Sequence, residues 1–175
     1  MAKGMNKGRL VGMIMSLIIS LAMGIVSSIL VIATNPNALQ AHSAFFIYAT
    51  NILLSLILGF LISLLLPFGR LGEALARKAN AAPLSIKFIL LNAIPHSVGS
   101  TFIISLALSF FGVFTARMKL PEPVLSTLPP FHIMWIGSWF RLLLPTLLIS
   151  YTLSVLLAPV IARLVGYGKP GRPAK

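Results

Sequence analysis

Asn92 and His96 are the residues of this chain that most strongly suggest chemistry. They are polar side chains one helical turn apart, in an apolar run without charge at residues 88–116. In apolar surroundings an imidazole can bind a polar solute or pass a proton. Pro95 stands beside His96 and should remove one backbone hydrogen bond, which would kink a helix and expose nearby carbonyls. The spacing predicts a bent polar site, with Asn51 of an earlier run as the hydrogen-bond partner of His96.

A second interpretation of the same run stays open, in which its polar residues only join helices. Ser97, Gly99 and Ser100 follow His96, and small residues let two helices approach closely. Serine and asparagine side chains also form hydrogen bonds between helices. On this interpretation His96 is only a tolerated polar group on a bent helix.

Arg141 is the only charged residue in the apolar run at residues 131–162. A guanidinium binds phosphate or carboxylate through two parallel hydrogen bonds, which suits an anionic headgroup or substrate. Trp135 and Trp139 precede it, and tryptophan marks the interface between membrane and water, so Arg141 could instead simply extend to that interface. Both interpretations stay open. The candidate substrate-binding residues are therefore His96, Asn92, Asn51 and Arg141.

Several classes of chemistry are disfavoured by what the chain lacks. There is no cysteine, and the only acids are Glu73 and Glu122, both outside the apolar runs. Hydrolysis by paired carboxylates and carboxylate-based proton antiport therefore have no candidate residues. The histidines are spread along the chain as His42, His96 and His132, which is not the spacing of a metal site. Since no nucleotide-binding or hydrolase motif is present, we expect no catalytic residue, no metal, no cofactor and no enzyme.

Four long apolar runs must position the candidate residues. The chain is 58% hydrophobic and 9% charged, whereas soluble domains carry about 25% charged residues. A helix of about 20 apolar residues spans a bilayer, and these runs lack the alternation of a barrel strand. We therefore predict an all-α integral membrane protein with four transmembrane helices, within Leu10–Ala33, Ala44–Pro67, Phe88–Thr115 and Phe131–Ala162.

Positive charge is concentrated on one side of these runs. Eleven of the 14 Lys and Arg residues lie at the N-terminus, between residues 70 and 87 or in the tail, and the other three are Arg117, Lys119 and Arg141. Because Lys and Arg are enriched in cytoplasmic loops, both termini are predicted to be cytoplasmic. The net charge of +12 follows from the same loops. We expect no nucleic-acid binding, because no basic patch is interleaved with stacking aromatic residues.

The middle segment at residues 68–82 has two interpretations. Arg70, Glu73 and Arg77 are three and four residues apart, with leucines on another face, as in a short helix that lies in the headgroup layer. A solvated linker fits the same residues.

The sequence also indicates an internal repeat of a two-helix unit. A basic residue precedes the first run of each unit, at Arg9 and Lys87, and a proline stands near the end of the second, at Pro67 and Pro159. Both units begin on the same side, so the predicted repeats are parallel and related by an axis along the membrane normal. The predicted units are residues 1–82 and 83–175.

Aromatic residues open the last run, at Phe131, Trp135 and Trp139, and the stretch Pro159–Arg163 closes it. This pattern resembles the bacterial membrane family called domain of unknown function 2798. The second unit departs from the family at Pro95–His96, where serine and methionine are usual, and the first unit has Phe and Tyr in place of the tryptophans. As a tandem duplication, the resemblance covers nearly the whole chain. It implies a bacterial inner-membrane location and brings no known catalytic residues.

The first functional hypothesis is a transporter or permeability protein for a small solute, because polar residues lie inside the apolar runs. The alternative is a non-transporting accessory or scaffold protein, or a lipid-binding protein. A polar cavity around the candidate residues would favour transport, and a core packed solid with side chains would favour a scaffold. We expect the lipid bilayer as partner, with anionic headgroups and a second copy of the chain as further candidates.

Overall fold

A computed structural model describes residues 7–34, 39, 42–82 and 85–164, and all regular elements in these ranges are helices. Residues 1–6 and 165–175, whose cations the topology prediction counts, lie outside the described ranges. Side-chain caps mark two helix starts: the hydroxyls of Ser43 and Ser85 accept hydrogen bonds from the backbone N–H three residues later. The helices are α1 Lys7–Thr34, α2 Ala44–Leu65, α3 Phe68–Lys78, α4 Ile86–Lys119, α5 Glu122–Leu125 and α6 Phe131–Leu164.

Four helices, α1, α2, α4 and α6, are long and apolar enough to cross a membrane, which confirms the predicted membrane class. The predicted bounds agree closely for α1 and α2. Helices α4 and α6 each have 34 residues, which corresponds to about 51 Å and exceeds the ~30 Å hydrocarbon core of a bilayer. These two helices therefore extend beyond the core of a bilayer or are tilted within it.

The long helices form two antiparallel pairs. In the first pair, Ser16 Oγ donates to the Gly59 carbonyl at 2.7 Å, and Asn51 Nδ2 donates to Ser28 Oγ at 3.2 Å. These contacts join the start of α1 to the end of α2 and the end of α1 to the start of α2. Helices α4 and α6 pair in the same way, and α1 also packs along α6. We call the end that holds residues 42–43 and 120–130 the hairpin end, and the opposite end, which holds α3, the termini end.

Helix α3 settles the interpretation of the middle segment, which is helical and not a solvated linker. It runs antiparallel to the first turns of α4 and packs against them. Its end is a Schellman motif: Asn80 has a φ of 52°, and the Ala81 N–H donates to the Ala76 carbonyl at 3.0 Å. Lys87 Nζ then donates to the Ala79 carbonyl at 2.7 Å, which ties the end of α3 to the start of α4.

The interior of the bundle is built mainly from small polar side chains. An apolar cluster around Ile19, Met23 and Ile104 joins the long helices, but large leucines such as Leu53 and Leu144 are 61% and 63% exposed. Such an arrangement suits lipid as the surrounding solvent, since leucine is no more apolar than lipid tails. Buried residues recur every four positions: Ser16, Ser20, Gly24 and Ser28 in α1, Ile47, Asn51, Ser55 and Gly59 in α2, Ser97, Thr101, Ser105 and Ser109 in α4, and Leu142, Thr146, Ser150 and Ser154 in α6.

Candidate functional site

Asn92 and His96 lie on the face of α4 that α3 covers. The rings of Phe68 and His96 meet edge to face, with centroids 6.2 Å apart and planes at 82°. One turn further along α3, a Cβ added to Gly72 would collide with the Asn92 carbonyl oxygen. The absence of a side chain at Gly72 thus lets α3 close over both polar residues.

This pair contains two buried polar atoms without a hydrogen-bond partner in the described part of the chain, Asn92 Oδ1 and His96 Nε2. Leaving such an atom unpaired costs roughly 1–3 kcal/mol, and in native proteins it calls for an explanation such as an ordered water or a functional role. Oδ1 accepts hydrogen bonds, whereas Nε2 donates or accepts depending on the tautomer. Together they could hold one small hydroxyl-bearing molecule, water included.

The proline beside this pair does not interrupt the helix, because α4 is continuous through Pro95. Ser97 Oγ donates to the Ala93 carbonyl at 2.8 Å, and Ser100 Oγ donates to the His96 carbonyl. Serine hydroxyls commonly satisfy backbone groups next to a proline in a membrane helix. These bonds reach the carbonyls of residues 93 and 96, whereas the carbonyl that loses its helical donor to Pro95 is that of Leu91, four residues before it.

Asn51 lies far from His96, so the structure does not bring these two predicted partners together. Asn51 donates to Ser28 of α1, so it lies beside that residue. Thr101 of α4 contacts Met23 Sδ of α1 at 3.8 Å, which fixes the position of α4, and with it His96, along α1. Ser28 is five residues beyond Met23 toward the hairpin end, and His96 is five residues before Thr101 toward the termini end. At 1.5 Å per residue the separation along the bundle is about 15 Å.

Arg141 is also separate from the polar pair. It is exposed on the surface of α6, while its neighbour Leu142 is buried. Thr101 and Ser150 face each other at 2.6 Å, and Arg141 lies nine residues from Ser150 toward the hairpin end. The distance from His96 along the bundle is therefore about 20 Å. Of the four candidate residues, only Asn92 and His96 share a site.

A second polar cluster occupies the hairpin end, where His42, Phe46 and Lys119 meet. Lys119 Nζ lies 3.2 Å from His42 Nδ1 and 5.8 Å from the centroid of the Phe46 ring. The His42 and Phe46 rings stack with centroids 4.8 Å apart. Partial burial and the nearby Lys119 ammonium lower the pKa of His42. A neutral His42 can therefore accept a hydrogen bond from Lys119.

The residues of α3 that cover the polar pair were not predicted from the sequence. Gly72 and Ala76 are four residues apart, one turn after Phe68, and this spacing of small residues is typical of a helix that packs closely on another. The prediction for this segment used the charges of Arg70, Glu73 and Arg77 instead, because charged residues are typical of a surface helix. Arg77 and Glu73 do form an exposed ion pair at 3.6 Å, away from the site.

No protein-family model, curated protein or solved structure matches this chain. The resemblance to domain of unknown function 2798 stays a prediction. Function must be inferred from the geometry of the described residues.

Proposed function

We propose that this protein is a non-transporting scaffold or accessory protein of the bacterial inner membrane. The observation that carries this proposal is the close contact between α1 and α2. A Cβ added to Gly24 would stand 2.7 Å from Ile52 Cα and 3.0 Å from the Asn51 carbonyl oxygen. Because these are backbone atoms, the two helices have no room between them for a solute.

Three polar side chains elsewhere in this interface are engaged in helix–helix contacts, whereas the buried Ser20 hydroxyl has no hydrogen-bond partner among the described residues. Ser16, Ser28 and Asn51 all hydrogen-bond across the pair. A Cβ added to Gly59 would stand 2.7 Å from Ser20 Cβ, so the Ser20 side chain packs directly against the Gly59 backbone. Such polar groups hold helices together in lipid, and they offer no continuous wet path.

The second helix pair supports the same proposal. The hydroxyls of Thr101 and Ser150 bond to each other, and Trp139 Nε1 donates to Ser105 Oγ at 3.1 Å. Two shallow grooves on the described surface are open to the outside, and apolar residues make up most of their lining. A packed core with apolar grooves on its perimeter is what a scaffold in lipid requires.

Reconstitution tests this proposal directly. The full chain in proteoliposomes should give the same leakage of protons, potassium and small neutral solutes as protein-free liposomes. A pH-sensitive dye and trapped solutes provide the measurement, and a known ionophore provides the positive control. Solute flux that depends on the protein would overturn the scaffold proposal.

Permeability to a small solute is the second candidate function, because one observation favours it. The unpartnered atoms of Asn92 and His96 form a polar pair under α3. For a solute to reach this pair, α3 would have to separate from α4, and the two helices approach closely at Gly72. If protein-dependent flux is found, His96→Leu should abolish it. The exposed neighbouring substitution Val98→Leu serves as the matched control and should leave the flux unchanged.

We also propose that both termini and α3 face the cytoplasm and that the chain is a parallel tandem repeat. The concentration of cations in the terminal and middle segments supports the orientation. Two antiparallel pairs that both use four-residue stripes of small residues support the repeat. The two contacts between the pairs differ: α1 packs along α6, whereas α2 and α4 leave a groove between them.

A further inference from the structure

An apolar groove of about 420 Å³ runs along α4 beside α2. Its walls are Leu54 from α2, Trp135 from α6, and Ile103, Ala107, Phe110 and Phe111 from α4. All these residues belong to the membrane-spanning helices. The groove opens to the outside of the bundle, where lipid chains are the surrounding solvent.

The cluster of Lys119, His42 and Phe46 lies above this groove at the hairpin end. Phe46 is two turns before Leu54 in α2, and Lys119 is two turns after Phe111 in α4, so the cluster stands about 12 Å from the groove walls. The contacts of Lys119 with His42 and Phe46 bridge α2 and α4 at this level. The same two helices therefore carry an apolar groove and a cationic group at its head.

The donors of this cluster suit an anion. When the Lys119 ammonium donates to His42 Nδ1, the proton of the neutral imidazole is assigned to Nε2. His42 Nε2 is buried and has no hydrogen-bond partner among the described residues. An ammonium beside an imidazole N–H offers two kinds of donor to phosphate oxygens, and these hydrogen bonds are charge-assisted.

We propose that this protein binds an anionic glycerophospholipid, with one acyl chain in the groove between α2 and α4 and its phosphate at Lys119 and His42. An acyl chain matches the apolar walls, and an anionic headgroup matches the charge. A second copy of the chain could place its Glu122 opposite Lys119, so the test below distinguishes a dimer from a bound lipid. The lipid site goes beyond the scaffold proposal and does not depend on whether the core passes a solute.

Native mass spectrometry of the full chain in detergent tests the site, with phosphatidylglycerol and phosphatidylcholine of identical chains as probes. Wild-type protein should retain phosphatidylglycerol about fivefold more than phosphatidylcholine, the factor expected for one basic residue near a membrane surface. Lys119→Gln should remove this preference and keep both lipids bound. Lys78→Gln, which removes an exposed cation at the other end, is its matched control.

Filling the groove tests the acyl chain separately. Ala107→Phe should lower retention of both lipids severalfold, whereas Ala49→Phe, the same change on another exposed face of α2, should not. Tryptophan fluorescence confirms that each variant is folded. Equal retention of the two lipids by wild type, or an unchanged preference in Lys119→Gln, would overturn the proposal. A lipid-free dimer that Ala107→Phe dissociates would identify a second copy as the occupant and would overturn it too.

Discussion

The two helix pairs of this protein are joined in different ways. Helices α1 and α2 approach closely at Gly24, which faces the backbone of α2, and at Gly59, which faces the Ser20 side chain, and a Cβ fits at neither position. Helices α4 and α6 meet through side chains that reach across the interface. Trp135 Nε1 donates to the Leu106 carbonyl at 3.1 Å, and Trp139 Nε1 donates to Ser105 Oγ at the same distance. In lipid, close approach and polar contacts replace the hydrophobic effect. The first pair uses both, whereas the second relies on side-chain contacts across the interface.

This difference shows where the molecule can tolerate change. The glycines of the second pair do not hold its helices together: a Cβ added to Gly112 or Gly137 would meet nothing within 4 Å, and Gly99 faces Phe68 of α3. The first pair has no space for an added Cβ at Gly24, because the atoms that it would meet include the backbone of Ile52 and Asn51, which cannot rotate away. The second pair leaves room on one side for α3 and on another for a groove.

The largest effect tests whether the tips of both pairs lie on one side of the membrane. The chain has no native cysteine, so single cysteines can be introduced cleanly. In intact cells, an impermeant maleimide should label Ser43→Cys at the tip of the first pair and Ser126→Cys at the tip of the second. Ala82→Cys, at the termini end, should be labelled only after lysis. Labelling of only one of the two tips in intact cells would contradict the parallel repeat, because the tips would then lie on opposite sides of the membrane.

Adding one methyl group should distinguish the two pairs by its effect on the free energy of unfolding. Gly24→Ala forces a Cβ against the Ile52 backbone and should destabilise the protein by about 1–3 kcal/mol, the usual cost of overpacking. Gly112→Ala, the same substitution in the second pair, should be neutral or slightly stabilising, because alanine favours a helix over glycine by about 1 kcal/mol. Unfolding in detergent, followed by tryptophan fluorescence, measures both. Equal losses in the two variants would contradict the backbone-contact account of the first pair.

Sequence analysis predicted the four spanning helices well, because length and hydropathy alone define them in a membrane protein. It could not decide the state of residues 68–82, since Arg70 and Arg77 suit a surface helix and a linker equally. Gly72 was the informative residue there, as it has no side chain to hold it away from Asn92. The role of a glycine such as Gly72 depends on which residue packs against it, and the sequence alone does not show that Asn92 does so.

The candidate site was predicted only in part for a related reason. Asn92 and His96 are four residues apart, so helical geometry alone places them together. Asn51 and Arg141 belong to other helices, and their heights depend on how each helix is shifted along its neighbours. Asn51 finds Ser28 instead of His96 because Ser28 lies level with it across α1 and α2. Hydropathy carries no information on such shifts.

Hydrogen bonds across the two pairs should have similar and modest energies, despite the different geometry. Asn51 donates to Ser28 in the first pair, and Trp139 donates to Ser105 in the second. Double-mutant cycles with Asn51→Ala and Ser28→Ala, and with Trp139→Phe and Ser105→Ala, should each give a coupling of about 0.6 kcal/mol, as is usual for membrane helices. Denaturant unfolding in detergent measures the four terms of each cycle. A coupling well above about 1.7 kcal/mol in one cycle would show that its pair is held mainly by that bond.

The smallest effect concerns the hairpin end, where α2 and α4 are bridged by His42 and Lys119. Burial, the larger cause, and the Lys119 charge both lower the pKa of His42. Lys119→Gln removes the second cause, so the pKa of His42 should rise part of the way toward 6.5 and stay below it. A lowered pKa also means that folding opposes protonation, so this contact loses stability as the pH falls through 6.5 and keeps it above that value. NMR titration of the His42 ring measures the shift, with Lys78→Gln as control. An unchanged pKa of His42 in Lys119→Gln would mean that the Lys119 charge does not act on His42. The contact between these two residues, which joins α2 and α4, would then be contradicted.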